Sequence, residues 1–278
     1  MHISEDELAF YSQTGYLFKP SYFLDEEIAV LKSQLRSVWA EKGSHAIREK
    51  NGLVRSVYGA HTSNEVFKKL VRHPKLLEPA MEILKNDVYV HQFKINAKSA
   101  MGGDIWAWHQ DFIFWHKEDG LRTPDVINMT VFLDDVTEFN GPLMLIPGSH
   151  RAGMVDVTPS SSANPPKGEP TWITNVTADL KYSLSREMMS DLVLANGIAI
   201  PKGPAGSLLL FDANIFHGSA SNMSPFDRAI VIVTYNSVTN PPQPKETPRP
   251  DFLASHDYTP LKPLPENCLT NISELQAK

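Results

Sequence analysis

Apolar positions recur first at helical spacing and later at strand spacing. Ser4 with Glu7 three residues on is a capping-box pattern opening a short helix. A longer helix is expected from Asp25, read as its cap, with Ile28, Leu31, Leu35 and Val38 on one face and Gly43 as its stop. A third is expected from Pro74 to Leu84, carrying Leu76, Leu77, Met81 and Leu84. Between them, residues 53–61 (LVRSVYGAH) read as a strand and its turn. From residue 87 the pattern changes to short runs rich in Val, Ile, Phe and Thr. Strands are predicted at 87–96, 104–109, 126–133, 142–146, 196–200, 207–212 and 228–236. Turn clusters such as Met101-Gly102-Gly103 and Asn140-Gly141-Pro142 separate them. Many short strands with no helix between successive ones point to an antiparallel barrel or jelly roll. One domain is expected, because the outside of a sheet gives the N-terminal helices an apolar surface. Its parts are a mostly helical buttress (1–86), a jelly-roll core (87–238) and a proline-rich arm (239–278). Residues 158–172 read as a loop, and 239–250 as an extended surface arm.

Composition narrows the class. The 278 residues can bury a large core without help from metal or disulfide. A net charge of −6 with no basic run argues against a nucleic-acid partner. The single cysteine, Cys268, excludes an intrachain disulfide and a cysteine-based zinc site. The acidic start MHISEDELAF does not read as a signal peptide, and no apolar run is long enough to span a membrane, so a cytoplasmic protein is expected.

The sharpest chemical signal is Trp108-His109-Gln110-Asp111. On a strand, His109 and Asp111 would share a face and reach one metal ion. His217 follows the strand predicted at 207–212. Two imidazoles and a carboxylate on one face of an octahedron leave three positions open, as non-haem Fe(II) oxygenases require. The alternative is a satisfied strand histidine beside a surface acid. Arg228 shifts that balance. A guanidinium entering the apolar run RAIVIVTYN needs an anionic partner, because buried charge is costly unless paired. The far carboxylate of 2-oxoglutarate would fit its planar fork. A structural salt bridge to Asp227 or Asp212 is the competing explanation.

The runs WHQDFIFWHKEDG, NGPLMLIPGSHR and FHGSASNMSPFDR resemble the phytanoyl-CoA dioxygenase-like superfamily of Fe(II)/2-oxoglutarate oxygenases, from about Glu7 to Leu261. HQFKIN at 91–96 resembles the matching block of ectoine hydroxylases. VRSVYGAH, GGDIWAWHQDF, DVTEFNGP and the tail ending in TPRPDF resemble free-L-leucine 5-hydroxylases more closely still. The resemblance implies a cupin-like double-stranded β-helix that couples conversion of 2-oxoglutarate and O2 to succinate and CO2 with hydroxylation of an unactivated C–H bond. Ascorbate would support the iron. It implies His109, Asp111 and His217 as iron ligands. Arg228, Thr130, Gln92, Asn96 and Ser219 fall at cosubstrate positions, and Trp115 at a substrate position. Lys94 stands where the ectoine enzymes have arginine, and the N-terminal third diverges, which weakens ectoine as substrate. Related halogenases lack the carboxylate; Asp111 is present, so hydroxylation is expected.

The implied substrate is a free aliphatic L-amino acid, leucine at carbon 5 first, with proline, isoleucine or ectoine as alternatives. For such a zwitterion, Arg55 and Lys94 are candidate cations, with Tyr58 and His61 as hydrogen-bonding neighbours. Phe112, Phe114 and Trp115 are candidates for the apolar wall. His150 reads as structural, and His116 is placed on a loop. Residues 151–195 and 240–258 are candidate lids. Asn175-Val176-Thr177 matches a glycosylation pattern that has no consequence without secretion. A non-catalytic jelly-roll binding protein is the reading from another class. Oligomeric state stays open.

Overall fold

The computed structural model describes residues 3–157, 159, 164, 165, 167–178 and 180–271. Its strands are β1 (Tyr16–Lys19), β2 (Ala46–Arg48), β3 (Val54–Tyr58), β4 (Val88–Lys98) and β5 (Trp106–His109), then β6 (Val126–Phe132), β7 (Leu143–Leu145), β8 (Leu208–Asp212), β9 (His217–Ser219) and β10 (Arg228–Ser237). They form two antiparallel sheets, one in the order β1-β8-β6-β10-β4-β3-β2 and one in the order β5-β9-β7. This is the expected jelly roll.

The period-2 pattern of the long strands explains the layering. Phe93, Ile95, Val131, Val231 and Val233 point outward and meet Leu31, Phe67, Leu70, Leu76 and Leu77 of the N-terminal helices. Each such side chain contributes about 1.5–3 kcal/mol on full burial. Phe132, Leu209, Phe211, Ile230 and Ile232 point inward and meet Leu143 and Leu145 of the smaller sheet. Toward the β3–β4 side the same inner face turns polar. Ser56 opposes Asn96, Tyr58 opposes Lys94, Thr234 opposes Gln92 and Asn128, and Arg228 opposes Lys98. All are buried. A polar patch inside a closed sandwich has to serve something other than folding, because each such group costs free energy unless it finds a partner.

Several elements differ from expectation. The capping box at Ser4 is present, with the Ser4 hydroxyl accepting from Glu7 N and the Glu7 carboxylate accepting from Ser4 N. Asp25 is the first helical residue and not the cap; Glu27 instead accepts from Leu24 N at 2.8 Å. The expected long helix is two, Asp25–Ser33 and Leu35–Ala40, and ends before Gly43. The N-terminal third is less purely helical than expected, because β1, β2 and β3 join the larger sheet. Residues 196–200 form only an isolated bridge, Ala199 to Leu145, after a helix at Arg186–Asn196. His116 sits in a π-helical turn, Trp115–Asp119. Of the loop expected at 158–172, residues 158, 160–163 and 166 lie outside the described residues.

Candidate active site

His109 closes β5 and His217 opens β9, and the two pair directly across the smaller sheet. Their rings lie 4.2 Å apart. Asp111 is not on the strand. Its backbone is already helical, at the start of the turn Phe112–Phe114, and that turn brings its carboxylate back toward the rings. Asp111 Oδ1 is 3.6 Å from His109 Nε2, and Oδ2 is 3.7 Å from His217 Nε2. One ligand atom from each residue lies within 4.8 Å of the others, and all three residues are buried.

The groups behind the ligands fix which atoms converge. His109 Nδ1 bonds Ala107 O at 2.6 Å and His217 Nδ1 bonds Ile215 O at 3.1 Å, which leaves both Nε2 atoms facing Asp111. Asn128 Nδ2 donates to Asp111 Oδ2 at 2.8 Å, and Asn128 Oδ1 accepts from Thr234 at 2.7 Å. Burial, then the neighbouring His109, brings the His217 pKa down to about 3, so its imidazole is neutral. Burial works against the Asp111 charge, but the Lys94 ammonium and hydrogen bonding from His109 outweigh it and hold the carboxyl far below its ordinary range. Neutral imidazoles and an ionised carboxylate are the forms that bind Fe(II).

Of the five residues expected to bind the cosubstrate, Arg228, Thr130, Gln92 and Asn96 lie on the inner face of the larger sheet and Ser219 on β9 of the smaller one. Arg228 is fully buried, and its guanidinium donates to Gly141 O and, at 3.4 Å, to Asn140 O. Among the described residues it pairs with no carboxylate. The structural salt bridge is absent there: Asp227 instead accepts from Ala100 N at 2.7 Å. Gly141 has φ 71°, and a Cβ there would meet Ala220 O at 2.6 Å, so only glycine brings this carbonyl to Arg228. Among the described residues, Thr130 Oγ1 and Ser219 Oγ are buried without a hydrogen-bond partner. Two orphaned hydroxyls and a cation without an anion fit a dicarboxylate. Asn96 accepts from Ser56 at 2.8 Å. Gln92 donates to Leu253 O at 2.7 Å and so ties down the C-terminal arm.

Tyr58, Gln92, Lys94, Trp106, Phe114, Trp115, Asn175, Val176 and Arg249 line the cleft around His109 and Asp111. Lys94 Nζ is 3.9 Å from Asp111 Oδ1. Three expected residues are not brought to this wall. His61 lies on the helix side of the sheet, stacked on Phe93 at 5.0 Å, where burial lowers its pKa to about 4. Phe112 packs with Leu121, Val126 and Ala213, and Phe114 takes its place. Arg55 stands behind the cleft. The β2–β3 register slips beside it, re-aiming its side chain. Its guanidinium covers the Trp106 ring at 3.8 Å and donates to Val176 O and Ile105 O at 3.0 and 2.9 Å.

Sequence reasoning missed Arg249 and Asn175 as cleft residues. Arg249 rides on the proline-rich arm, expected at the surface. It is buried instead and meets Asp119 Oδ1 and Oδ2 at 2.6 Å each. Asp119 also bonds His91 at 3.1 Å. Nothing in the run HKEDG signals this anchor, because Asp119 lies 130 residues from Arg249.

Two histidines on the smaller sheet, an aspartate on the turn that follows, and a buried arginine on the larger sheet with no carboxylate partner among the described residues define an iron- and 2-oxoglutarate-dependent oxygenase. The chain belongs to the phytanoyl-CoA dioxygenase (PhyH) family, whose model matches residues 11–230. It is 40% identical to an L-proline trans-4-hydroxylase of Streptomyces griseoviridis over 91% of this chain and 93% of that protein. It is 35% identical to an ectoine dioxygenase of Bordetella bronchiseptica, over 94% and 86% of the two chains. Among solved structures, EctD from S. alaskensis with 2-oxoglutarate and 5-hydroxyectoine matches with TM-score 0.79 at 30% identity, over 95% and 89% of the chains. The same protein with bound Fe matches at TM-score 0.78. The protein is therefore a dioxygenase that uses Fe(II) and 2-oxoglutarate, with O2 as cosubstrate.

Proposed function

We propose that this enzyme hydroxylates an unactivated C–H bond of a free small L-amino acid. The observation that carries the reading is the cleft itself: His109 and Asp111 of the metal triad walled by Tyr58, Trp106, Phe114 and Trp115, with the cation Lys94 and the Asp119-paired Arg249 in the same lining. Aromatic walls suit an aliphatic side chain, and a cation suits the carboxylate. Proline stands first within this class, supported by the likeness to a proline 4-hydroxylase across nearly the whole chain. Leucine at carbon 5, the first expectation from sequence, has no counterpart among the relatives described above.

His109, Asp111 and His217 would hold the iron, which when bound activates O2 and couples oxidative decarboxylation of 2-oxoglutarate to the hydroxylation. Arg228 holds the far carboxylate of the cosubstrate, with Thr130 and Ser219 donating to it. Asn128 keeps the Asp111 carboxylate oriented. Lys94 balances its charge. Trp115 and Phe114 exclude water and fix which carbon faces the metal.

The test is succinate formation by the purified enzyme with Fe(II), ascorbate and 2-oxoglutarate across the free L-amino acids and ectoine. Mass spectrometry would look for products one oxygen atom heavier. Turnover with proline or another small amino acid is expected. Turnover with ectoine alone would overturn the reading.

A further inference from the structure

One buried polar side chain in the cleft has no role in the scheme above. Asn175 ends the short 3-10 helix Thr171–Asn175 and lines the cleft beside Val176. It is 8% exposed, and among the described residues neither its Oδ1 nor its Nδ2 has a hydrogen-bond partner. Both atoms are free, so either orientation of the amide leaves an orphan donor and an orphan acceptor. Leaving such a group unpaired costs on the order of 1–3 kcal/mol.

The segment carrying it is firmly placed. Arg55 Nε donates to Val176 O at 3.0 Å, and Lys181 N donates to Thr174 O at 3.0 Å. Further on, Leu184 N donates to Trp108 O at 3.0 Å, one residue from the metal pair. Lys181 and Tyr182 both bond Glu118, at 2.6 and 2.7 Å. Asn175 is thus held over the cleft from both sides while its own amide bonds none of the described residues.

The other polar groups of the cleft show what is missing. Lys94 and Arg249 are cations and the Gln92 amide nitrogen is committed to Leu253 O; Gln92 Oε1 and the Tyr58 hydroxyl are acceptors too, but among the described cleft residues only Asn175 has an acceptor that is fully buried with no partner. The carboxylate that lines the cleft is Asp111, which belongs to the metal. An amino acid brings an ammonium group as well as a carboxylate, and the ammonium needs an acceptor. We propose that Asn175 Oδ1 accepts a hydrogen bond from the ammonium group of the amino-acid substrate, making Asn175 a specificity-determining residue and Arg55 the positioning residue that holds it. This rests on the amino-acid reading above.

The test is calorimetric titration under nitrogen of enzyme loaded with Fe(II) and 2-oxoglutarate. The two ligands are L-proline and cyclopentanecarboxylate, which keeps the ring and carboxylate but has no N–H. The wild type is expected to prefer proline. Asn175→Ala should weaken proline roughly ten- to a hundredfold, the range for a hydrogen bond to a charged group, and leave cyclopentanecarboxylate unchanged. Asn175→Ser, which keeps a shorter acceptor, should fall between. Equal losses for both ligands would mean that Asn175 only shapes the lid. No loss for either would mean that it touches nothing. Both results overturn the proposal. If another free L-amino acid binds in place of proline, that amino acid and its analogue without the amino group are the pair titrated; a wild type that binds none of the free L-amino acids rejects the amino-acid reading and this inference with it.

Discussion

Thr130 and Ser219 carry hydroxyls that are buried without partners among the described residues, and this makes a counterintuitive prediction at the scale of single residues. Thr130→Val removes an unsatisfied hydroxyl at nearly constant volume. It should leave the melting temperature unchanged or raise it, while the KM for 2-oxoglutarate rises roughly fivefold or more. A loss of stability with unchanged KM would remove Thr130 from the cosubstrate pocket. Arg228→Ala should raise the same KM roughly ten- to a hundredfold, as expected for a charge-assisted pair. If only the amino-acid KM rose, the arginine would have been misassigned. His109, Asp111 and His217 were legible from the His-x-Asp…His pattern, and Arg228 because a guanidinium is improbable in an apolar strand without a partner. His61 was not, because a histidine in a turn gives no sign of which sheet face it will pack against. Arg249 and Asn175 were not, because what buries them lies far along the chain. Asp119 is 130 residues from Arg249, and Arg55 is 121 from Val176.

The long strands declared themselves by their own pattern, and the short β5 and β7 by the glycine-rich turns beside them. β4, β6, β8 and β10 have enough alternating or continuous apolar positions to declare themselves. β2 and β9 have three residues each, too few for a period. The helix Arg186–Asn196 buries none of its residues, so it leaves no apolar stripe to find. The stretches 171–178 and 180–184 are held by tertiary bonds more than by their own sequence. Their anchoring through Arg55 yields a prediction. Arg55→Met keeps much of the packing on Trp106 but loses the bond to Val176 O. Amide protection over residues 171–184 should fall in hydrogen exchange, while protection of β4 and β10 stays as it was. Loss of protection throughout the sheet would make Arg55 a core residue and not an anchor.

For the whole molecule, the helices and the larger sheet form one apolar core, with the polar cleft confined to the other face of the same sheet. Among the described residues no helix is long and apolar enough to cross a membrane. A buried cluster joins the helical layer: Glu27 meets His73 at 2.9 Å and Lys75 at 2.7 Å. Burial opposes the Glu27 charge, but His73, Lys75 and Leu24 N outweigh it and bring its pKa to about 2, against 4.5 when unperturbed. A carboxyl with a depressed folded pKa stabilises above its unfolded pKa and loses that stabilisation as pH falls through the folded one. Glu27 should therefore contribute about 3 kcal/mol at neutral pH, lost between about pH 4.5 and 2. Chemical denaturation of Glu27→Gln checks this. The deficit against wild type should be full at pH 7 and shrink below pH 4; a deficit independent of pH would contradict it.

The central claim is that the cleft couples consumption of 2-oxoglutarate to oxidation of a free amino acid. The most direct measurement is the ratio of succinate to hydroxylated product in a single reaction, starting with L-proline. The account predicts one hydroxylated amino acid per succinate, and neither product when His109 is replaced by alanine. Succinate released without an oxidised amino acid, for proline and for every other free amino acid tried, would contradict it.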